Sequence, residues 1–302
     1  MRITQSMISR TGINQLVAQR NRLARTQEMA ATGRRINRPS DDPIDYRKLL
    51  SLKDDLRQTG RFLRTIDQSR TRIRSTEEAL AGAAEAIDLV RVRGLEAMNA
   101  TNQRESTRDA IKVQIEQLFD ELVSQANVRS PGGGYVFSGR ASDQAAFTAV
   151  GDFSSGVPPT VSFTGDASAT RVEIGEDVFV DVTRDGQAAF QGAADAFSAV
   201  TALWTAVDQG DDVGMRAAVD NLESARDHLF LERAAIGGSE SKADSFEDRL
   251  RLQEEEITSQ LSYIEDADAF EVYSDLVSQE SALQASLEVS SRILQPTLLD
   301  YI

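Results

Sequence analysis

Residues 66–90 read IDQSRTRIRSTEEALAGAAEAIDLV, and an apolar residue recurs there at every seventh position. Two parallel columns follow this period, the first being Ile66, Ile73, Leu80 and Ile87, and the second Phe62, Ala83, Val90 and Ala97, with Ser69 and Thr76 in its gaps. A seven-residue apolar repeat is the pattern of a coiled-coil seam. At 1.5 Å per residue, a helix from Leu56 to Ala97 would be roughly 60 Å long. The stretch therefore predicts a mainly α-helical protein.

A shorter helix is predicted upstream, from about Gln5 to Thr32, because apolar residues recur there at helical spacing. Gly33 suits the left-handed position that ends a helix. The segment TGRRINRPSDDP, residues 32–43, then interrupts the pattern. Its last two residues, Asp42 and Pro43, have the preferred types for the N-cap and the first position of a new helix. The segment therefore predicts an elbow between two helices.

The tract downstream of the seam is predicted to bend near Gly94 and residues 99–106 and to continue to about Ser130. Residues 131–186 differ, because turn formers in PGGGYVFSG precede the short β-branched and aromatic runs TVSFT, RVEI and DVFVDV. Helices resume after Gly186, with a turn at 209–212 and a helix end at Gly237–Gly238. A last helix starts near Ser241, breaks at residues 266–268 and ends at Pro296. Its later apolar positions are Tyr273, Leu276, Leu283 and Leu287.

This organisation predicts a mainly α fold, in which long antiparallel coiled-coil helices from both chain ends carry a small β-rich insert. The predicted parts are residues 1–42, a helix and the elbow; 43–130, coiled-coil helices; 131–186, the insert; and 187–302, coiled-coil helices and an apolar tail. Exposed apolar seams are unfavourable, so we expect the N-terminal seam to pair with the C-terminal one. Each fully buried Leu or Ile contributes roughly 1.5–3 kcal/mol, more than an exposed ion pair at about 1 kcal/mol.

Charge is distributed unevenly along the chain. Residues 1–75 contain 15 Arg and 2 Lys against 7 acidic residues, a net charge of +10, whereas the whole chain carries −15. The remainder must therefore carry −25. Nucleic-acid binding is not predicted, because no aromatic residues interleave with the arginines and the acidic bulk would repel phosphate. We expect acids of this chain or of a neighbour to neutralise the arginines, the candidates being Glu247, Asp248, residues 254–256, Glu265 and Asp266.

The composition offers little for catalysis. Cysteine is absent, which excludes disulfides and thiolate chemistry. His228 is the only histidine, and its helix-like context is typical of a surface or packing residue. No Gly-rich phosphate loop, Walker motif or nucleophile elbow is present. Although composition leaves carboxylate-only chemistry and Mg²⁺ open, we predict no catalytic residue, no cofactor, no metal site and no enzymatic activity.

Neither a membrane span nor a cleavable signal is predicted. No stretch approaches the roughly 20 apolar residues that a span needs. The N-terminus lacks the apolar core of a secretory signal peptide. Cytosolic residence and export by a route without such a signal both remain open.

Several segments resemble the bacterial flagellin superfamily, namely MRITQSM at 1–7, TGRRINRPSDDP at 32–43, YVFSG at 135–139, RAAIGG at 233–238, LSYIEDAD at 261–268 and SALQASLEVSSRILQPTLLDYI at 281–302. Together they cover both helical arms and the entry to the β-rich insert. The C-terminal segment favours the hook-associated junction members of this superfamily over its filament subunits.

The resemblance implies a structural flagellar protein, an adaptor that joins hook to filament by axial polymerisation. It implies contacts with other copies, with a second hook-associated junction protein and with flagellin, and an export chaperone on the C-terminal segment. No nucleic-acid or membrane partner is expected. The implied location is the extracellular flagellum, reached by the flagellar type III pathway after a transient cytoplasmic stage. The termini of such proteins are typically disordered in the monomer and fold on assembly.

Two sets of residues are predicted to form the assembly interface: Arg34, Arg35, Asn37, Arg38, Asp41 and Asp42 in the elbow, and Leu294, Leu298, Leu299, Tyr301 and Ile302 in the tail. For the elbow, an inter-subunit contact and a plain helix junction are both open, and both can hold. Three other functions remain as alternatives: a flagellin-type filament subunit, a host- or surface-binding protein acting through residues 135–185, and a cytosolic coiled-coil scaffold. An enzyme ranks last.

Overall fold

The computed structural model describes residues 5–99 and 104–294. In chain order its elements are α1 (Gln5–Thr32), α2 (Pro43–Ala97), α3 (Glu105–Ala126), β1 (Phe147–Val150), β2 (Thr160–Phe163), β3 (Arg171–Gly175), β4 (Val178–Asp181), α4 (Gly186–Gln191), α5 (Ala196–Gln209), α6 (Asp212–Glu265) and α7 (Ala269–Leu294). The chain divides into two compact units. The central unit is Thr59–Leu252, and the terminal unit takes its residues from before and after that range.

The seven-residue seam of α2 forms the core of the central unit. Ile66, Ile73, Leu80 and Ile87 are each 0% exposed, in one apolar cluster that also contains residues of α6. Three ion pairs join the two helices in antiparallel order: Arg70–Glu247, Glu77–Arg233 and Asp88–Arg226. The expected pairing of the N-terminal seam with the C-terminal one is confirmed.

Two expectations about glycines were wrong. Gly94 lies within α2, and a Cβ atom there would be 2.9 Å from the Val219 side chain and 3.0 Å from that of Leu203. It therefore permits a close approach to packed side chains and does not mark a bend. The pair Gly237–Gly238 lies within α6, which continues because Ile236 just before it is fully buried in the core.

The insert contains two antiparallel hairpins. Strand β1 pairs with β2, and β3 pairs with β4, which confirms strands at the three sequence runs expected to form them. The sequence did not indicate β1, where only Phe147 is buried.

Helix α3 ends at Ala126, earlier than expected, and the side chain of the next residue accounts for the difference. The Asn127 amide accepts a hydrogen bond from the Phe147 N–H at 3.0 Å and donates one to the Phe147 carbonyl at 2.9 Å. The amide thus pairs with the first residue of β1 as a strand neighbour would. Phe197 contacts Phe119 edge-on and stacks on Phe190, and all three rings belong to the same core.

Candidate assembly interface

The elbow between α1 and α2 is formed by the signals present in its sequence. Gly33 has a φ of +70°, and its N–H donates to the Met29 carbonyl at 2.8 Å. The Asp42 carboxylate accepts hydrogen bonds from the N–H groups of Ile44 and Asp45, each at 3.0 Å. Helix α2 begins at Pro43. The expected helix end, N-cap and restart are confirmed.

The backbone of the elbow pairs with the break between α6 and α7. The Arg35 N–H donates to the Glu265 carbonyl at 2.7 Å, and the Ala267 N–H donates to the Gly33 carbonyl at 2.9 Å. These bonds flank an antiparallel bridge between Arg34 and Asp266. We call this two-stranded contact, residues 33–35 with 265–267, the clasp. It joins the two interruptions, one near each chain end, that the sequence showed separately.

Glu265 is the charged centre of the clasp. It is 7% exposed, and one of its carboxylate oxygens accepts from Arg34 Nε at 2.9 Å and from Lys53 Nζ at 3.0 Å. A nearly buried carboxylate is stable as a charge only when it is paired and hydrogen-bonded. The expectation that Glu265 neutralises N-terminal basic residues is therefore confirmed.

Arg35 links the clasp to the start of α2. Its guanidinium donates to the Ile264 carbonyl at 2.9 Å and to the Asp45 carboxylate at 3.1 Å, and lies 3.8 Å from Asp42. The hydrogen bonds from Arg35 and then from Lys48 lower the pKa of Asp45. One arginine therefore contacts both the C-terminal arm and the first turn of the seam helix.

Asp41 orders the turn itself. Its carboxylate accepts from the N–H groups of Asn37 at 3.1 Å and Arg38 at 2.9 Å, and pairs with Arg25 at 2.9 Å. Burial acts to raise the pKa of Asp41, but the two backbone hydrogen bonds and the nearby arginines outweigh it and lower that pKa. Arg38 pairs in turn with Glu28 at 3.2 Å.

All six elbow residues predicted as site residues thus lie together, each with a partner in its own chain. This supports the helix-junction interpretation. The inter-subunit contact stays a prediction. The guanidinium groups of Arg34, Arg35 and Arg38 are also exposed to solvent, so a neighbouring subunit could reach them. Within the described residues, Asp248 and residues 254–256 form no ion pair with the arginines of residues 5–75. Only part of the acidic set that was expected to neutralise those arginines therefore does so.

Leu294 is the last residue of α7, and its side chain lies outside the described part of the chain. Leu298, Leu299, Tyr301 and Ile302 also lie outside the described residues.

The helices α1 and α7 pack against each other in the terminal unit. Thr26 donates to the Gln279 side chain at 2.9 Å, while Gly12 and Leu16 lie opposite Ala285 and Val289, so the helices run antiparallel. The expectation that Tyr273 and Leu287 share the apolar seam was wrong. The residues one position earlier face α1 instead, so the side chains of Tyr273 and Leu287 are exposed to solvent.

One side of this helix pair exposes apolar residues from both helices. We call it the apolar face, and its members, with their exposed fractions, are Ile13 (52%), Val17 (53%), Tyr273 (60%), Val277 (63%) and Leu287 (52%). Large exposed apolar patches mark interaction sites in soluble proteins, and these five residues are candidates for such a contact. No pattern in the sequence separated these residues from the buried seam, because they differ from it by only one position.

His228 has a packing role, as its sequence context indicated, because its Nε2–H donates to the Ala188 carbonyl at 2.7 Å. Among residues 5–99 and 104–294, no group of three or more His, Asp or Glu side chains is arranged to hold a metal ion. In the same part of the chain, every helix falls short of the length or the apolar character of a membrane span.

Two family models match the long helical arms that form the seam and the clasp. The bacterial flagellin N-terminal helical region matches residues 3–142, and the flagellin C-terminal helical region matches residues 219–302. Together they cover well over half of the chain, which therefore belongs to the flagellin superfamily.

Within that superfamily, the relatives are hook-associated proteins. Flagellar hook-associated protein 3 of Escherichia coli is 26% identical over 278 residues, 86% of each chain. The protein of the same name from Salmonella typhimurium is 25% identical over 307 residues, 95% of each chain. A solved flagellar hook-associated protein from Vibrio parahaemolyticus has the same fold, with a TM-score of 0.67 and 19% identity over 74% of this chain and 99% of its own. The resemblance to hook-associated protein 3 is thus confirmed.

Proposed function

We propose that this protein is a structural component of the bacterial flagellum and acts as the adaptor between hook and filament. The observation that carries the proposal is the similarity to hook-associated protein 3, which reaches 95% of both chains and so extends over both helical arms and the insert. A filament subunit is the nearest alternative, and no relative named above favours it.

The mechanism is assembly by helix packing between neighbouring subunits. The apolar face of α1 and α7 has no partner within the described chain, although burying such residues is favourable by roughly 1.5–3 kcal/mol for each side chain. Assembly would supply the missing partner. The apolar tail at Leu298, Leu299, Tyr301 and Ile302 would add further area once it is ordered, offsetting the entropy cost of ordering it.

We propose that the elbow contributes in two ways. The clasp with residues 265–267 fixes the path of the chain between α1 and α2 through contacts within one subunit. The exposed sides of Arg34, Arg35 and Arg38 can in addition contact a neighbouring subunit. Arginine suits such a double role, because its planar guanidinium presents five donors.

The partners follow from the adaptor role. We propose contacts with other copies of the chain, with a second hook-associated protein on one side and with flagellin, and an export chaperone on the C-terminal segment before secretion. The chain would be exported by the flagellar type III pathway and would function outside the cell in the flagellum. Its role is structural, and we expect no catalysis.

The test is deletion of the chromosomal copy, followed by electron microscopy of the cells and assay of the medium. We expect bare hooks, filament protein shed into the medium and loss of swimming, all restored by the wild-type chain. Normal filaments on the deletion strain would contradict the adaptor role. Bare hooks without free filament protein in the medium would instead favour the filament-subunit alternative.

A further inference from the structure

A cleft between α2 and the turn that follows α3 takes no part in the contacts described above. Its volume is about 370 Å³, and a water molecule in the liquid takes about 30 Å³, so the cleft can hold a small molecule. Positions three and four residues apart share one face of a helix. The lining residues are Gln68, Thr71 and Arg72 on one such face of α2, and Ser130, Gly132 and Gly133 in the glycine-rich turn that leads into the insert.

The turn at residues 130–134 forms one wall of the cleft. The Ser130 N–H donates to the Gly134 carbonyl at 3.0 Å, and the Gly133 N–H donates to the Ser130 carbonyl at 2.8 Å. Gly133 and Gly134 have φ angles of +86° and +84°, a conformation that glycine adopts without strain. The Gly132 N–H forms no hydrogen bond within the described chain. The turn therefore brings an unpaired backbone donor to the cleft.

Arg72 supplies the positive charge of the cleft. Arg70 and Arg74, two positions to either side, pair with acidic residues of α6. Because residues two positions apart on a helix point about 200° apart, Arg72 faces away from α6. Its Nε–H is buried and has no hydrogen-bond partner within the described chain, where its guanidinium also forms no ion pair. Buried polar atoms in proteins almost always have a partner, so an unpaired one indicates a bound ion or water.

The other polar groups of the cleft can also donate hydrogen bonds. Ser130 is only 9% exposed, and its hydroxyl forms no hydrogen bond within the described chain. Gln68 contributes an amide, and the Thr71 hydroxyl makes only a long bond of 3.4 Å to the Asp67 carbonyl. Among the described residues no acidic side chain lines the cleft, and the Asp67 carboxylate lies 3.6 Å from Arg70. The donors of this cleft therefore suit an anion.

The charge around the cleft has the same sign. Residues 57–74 of α2 contain six arginines and one acidic residue. The acidic remainder of the chain would repel a long polyanion, but charges farther away than about 8–10 Å are largely screened at physiological salt. The nearby arginines therefore decide the binding of one small anion.

We propose that this cleft binds a phosphate group through Arg72, Ser130 and the backbone of the glycine-rich turn. A guanidinium donates two parallel hydrogen bonds to two phosphate oxygens. Donors on two walls suit a tetrahedral anion better than a planar carboxylate, because the oxygens of phosphate point in four directions. Bound phosphate joins α2 to the turn that leads into the insert. The inference does not depend on the adaptor role, since every lining residue belongs to the central unit.

The test is isothermal titration calorimetry on the purified full chain. The ligands are inorganic phosphate and glycerol 3-phosphate, each measured against sodium chloride at the same ionic strength, so that the free and the esterified group are compared. The variants are Arg72→Ala, Arg72→Lys and Ser130→Ala. The matched control is Arg61→Ala, an exposed arginine of α2 that has no ion pair within the described chain and lies about 16 Å from Arg72 along the helix. Circular dichroism establishes that each variant is folded.

We expect the wild type to bind at least one of the two anions with a Kd below about 1 mM. Arg72→Ala should weaken binding about tenfold or more, and Ser130→Ala about threefold, because each removes a hydrogen bond to a charged group. Arg72→Lys should lie between alanine and wild type, since lysine keeps the charge but not the paired donors. Arg61→Ala should match wild type. The anion that binds more tightly identifies the group as free or esterified.

A Kd above about 1 mM for both anions would overturn the inference. So would unchanged affinity in Arg72→Ala, or an equal loss of affinity in Arg61→Ala, which would show attraction to α2 in general. If the variants of Arg72 do not fold, Ser130→Ala decides the question, because it removes a single hydroxyl. Unchanged affinity in that variant would then contradict the site.

Discussion

At the scale of single residues, glycines in two long helices have opposite surroundings. A Cβ atom at Gly94 would meet the side chains of Val219 and Leu203 within 3.0 Å, whereas nothing lies within 4 Å of one at Gly237. Both residues are helical. In a helix interior glycine costs about 0.5–1 kcal/mol relative to alanine. Substitution of glycine by alanine should therefore change the free energy of unfolding in opposite directions at the two sites.

We predict that Gly94→Ala lowers the free energy of unfolding of the central unit by about 1–2 kcal/mol, since overpacking outweighs the gain in helix propensity. Gly237→Ala should raise it by about 0.5–1 kcal/mol. Urea unfolding followed by the fluorescence of Trp204, the only tryptophan, measures both. Equal effects of the two substitutions would show that packing at Gly94 is not as described.

Asp42 provides a second test at the residue scale, because it caps α2 and also lies near Arg35. Asp42→Ala should destabilise the terminal unit by about 1 kcal/mol, whereas Asp42→Asn should cost much less, because asparagine also caps helices well. Thermal unfolding followed by circular dichroism compares the two. If the asparagine variant is as unstable as the alanine variant, the charge matters and the cap does not.

At the scale of elements, the clasp holds the elbow against the start of α7. Two cationic side chains pair with the Glu265 carboxylate. We predict that Glu265→Ala increases amide hydrogen exchange in residues 33–37 and in the first turn of α7, by about tenfold for a loss near 1.4 kcal/mol. The matched control is Glu255→Ala, at an exposed position of the same helix. Exchange that is unchanged by Glu265→Ala, or equally changed by both, would argue against the clasp.

The turn is also expected to weaken in acid. The pKa of Asp41 is lowered in the folded chain, so its ionised form stabilises folding above the ordinary aspartate pKa of about 3.9, and that stabilisation is lost as the pH falls below this value. We predict that Asp41→Asn is less stable than wild type at neutral pH and that the difference disappears in acid. Urea unfolding of both proteins between about pH 7 and pH 2.5 measures it. A difference that persists or grows in acid would contradict the assignment.

The sequence predicted those elements whose signals are local. The α1 boundary at Thr32 and the α2 start at Pro43 follow from Gly33 and Asp42, and the seam from its seven-residue period. The clasp could not be predicted, because nothing in residues 32–43 indicates that residues 265–267 lie beside them. The apolar face was missed for a similar reason. Tyr273 and Val277 are as apolar as their buried neighbours, and only the path of α1 decides which side is covered.

At the scale of the whole molecule, residues from both chain ends form one compact unit. Its helices α1 and α7 carry exposed apolar residues in their described part. An arrangement of this kind is unfavourable in an isolated protein but suits one that is completed by neighbouring copies. The central claim is therefore that the chain functions as an assembled layer between hook and filament.

Electron microscopy of intact flagella, with a gold-labelled antibody against the central unit, tests that claim most directly. We expect label at one position in each flagellum, where the hook meets the filament, and no label on a strain that lacks the chain. Label distributed along the whole filament, or found only inside cells, would contradict the account.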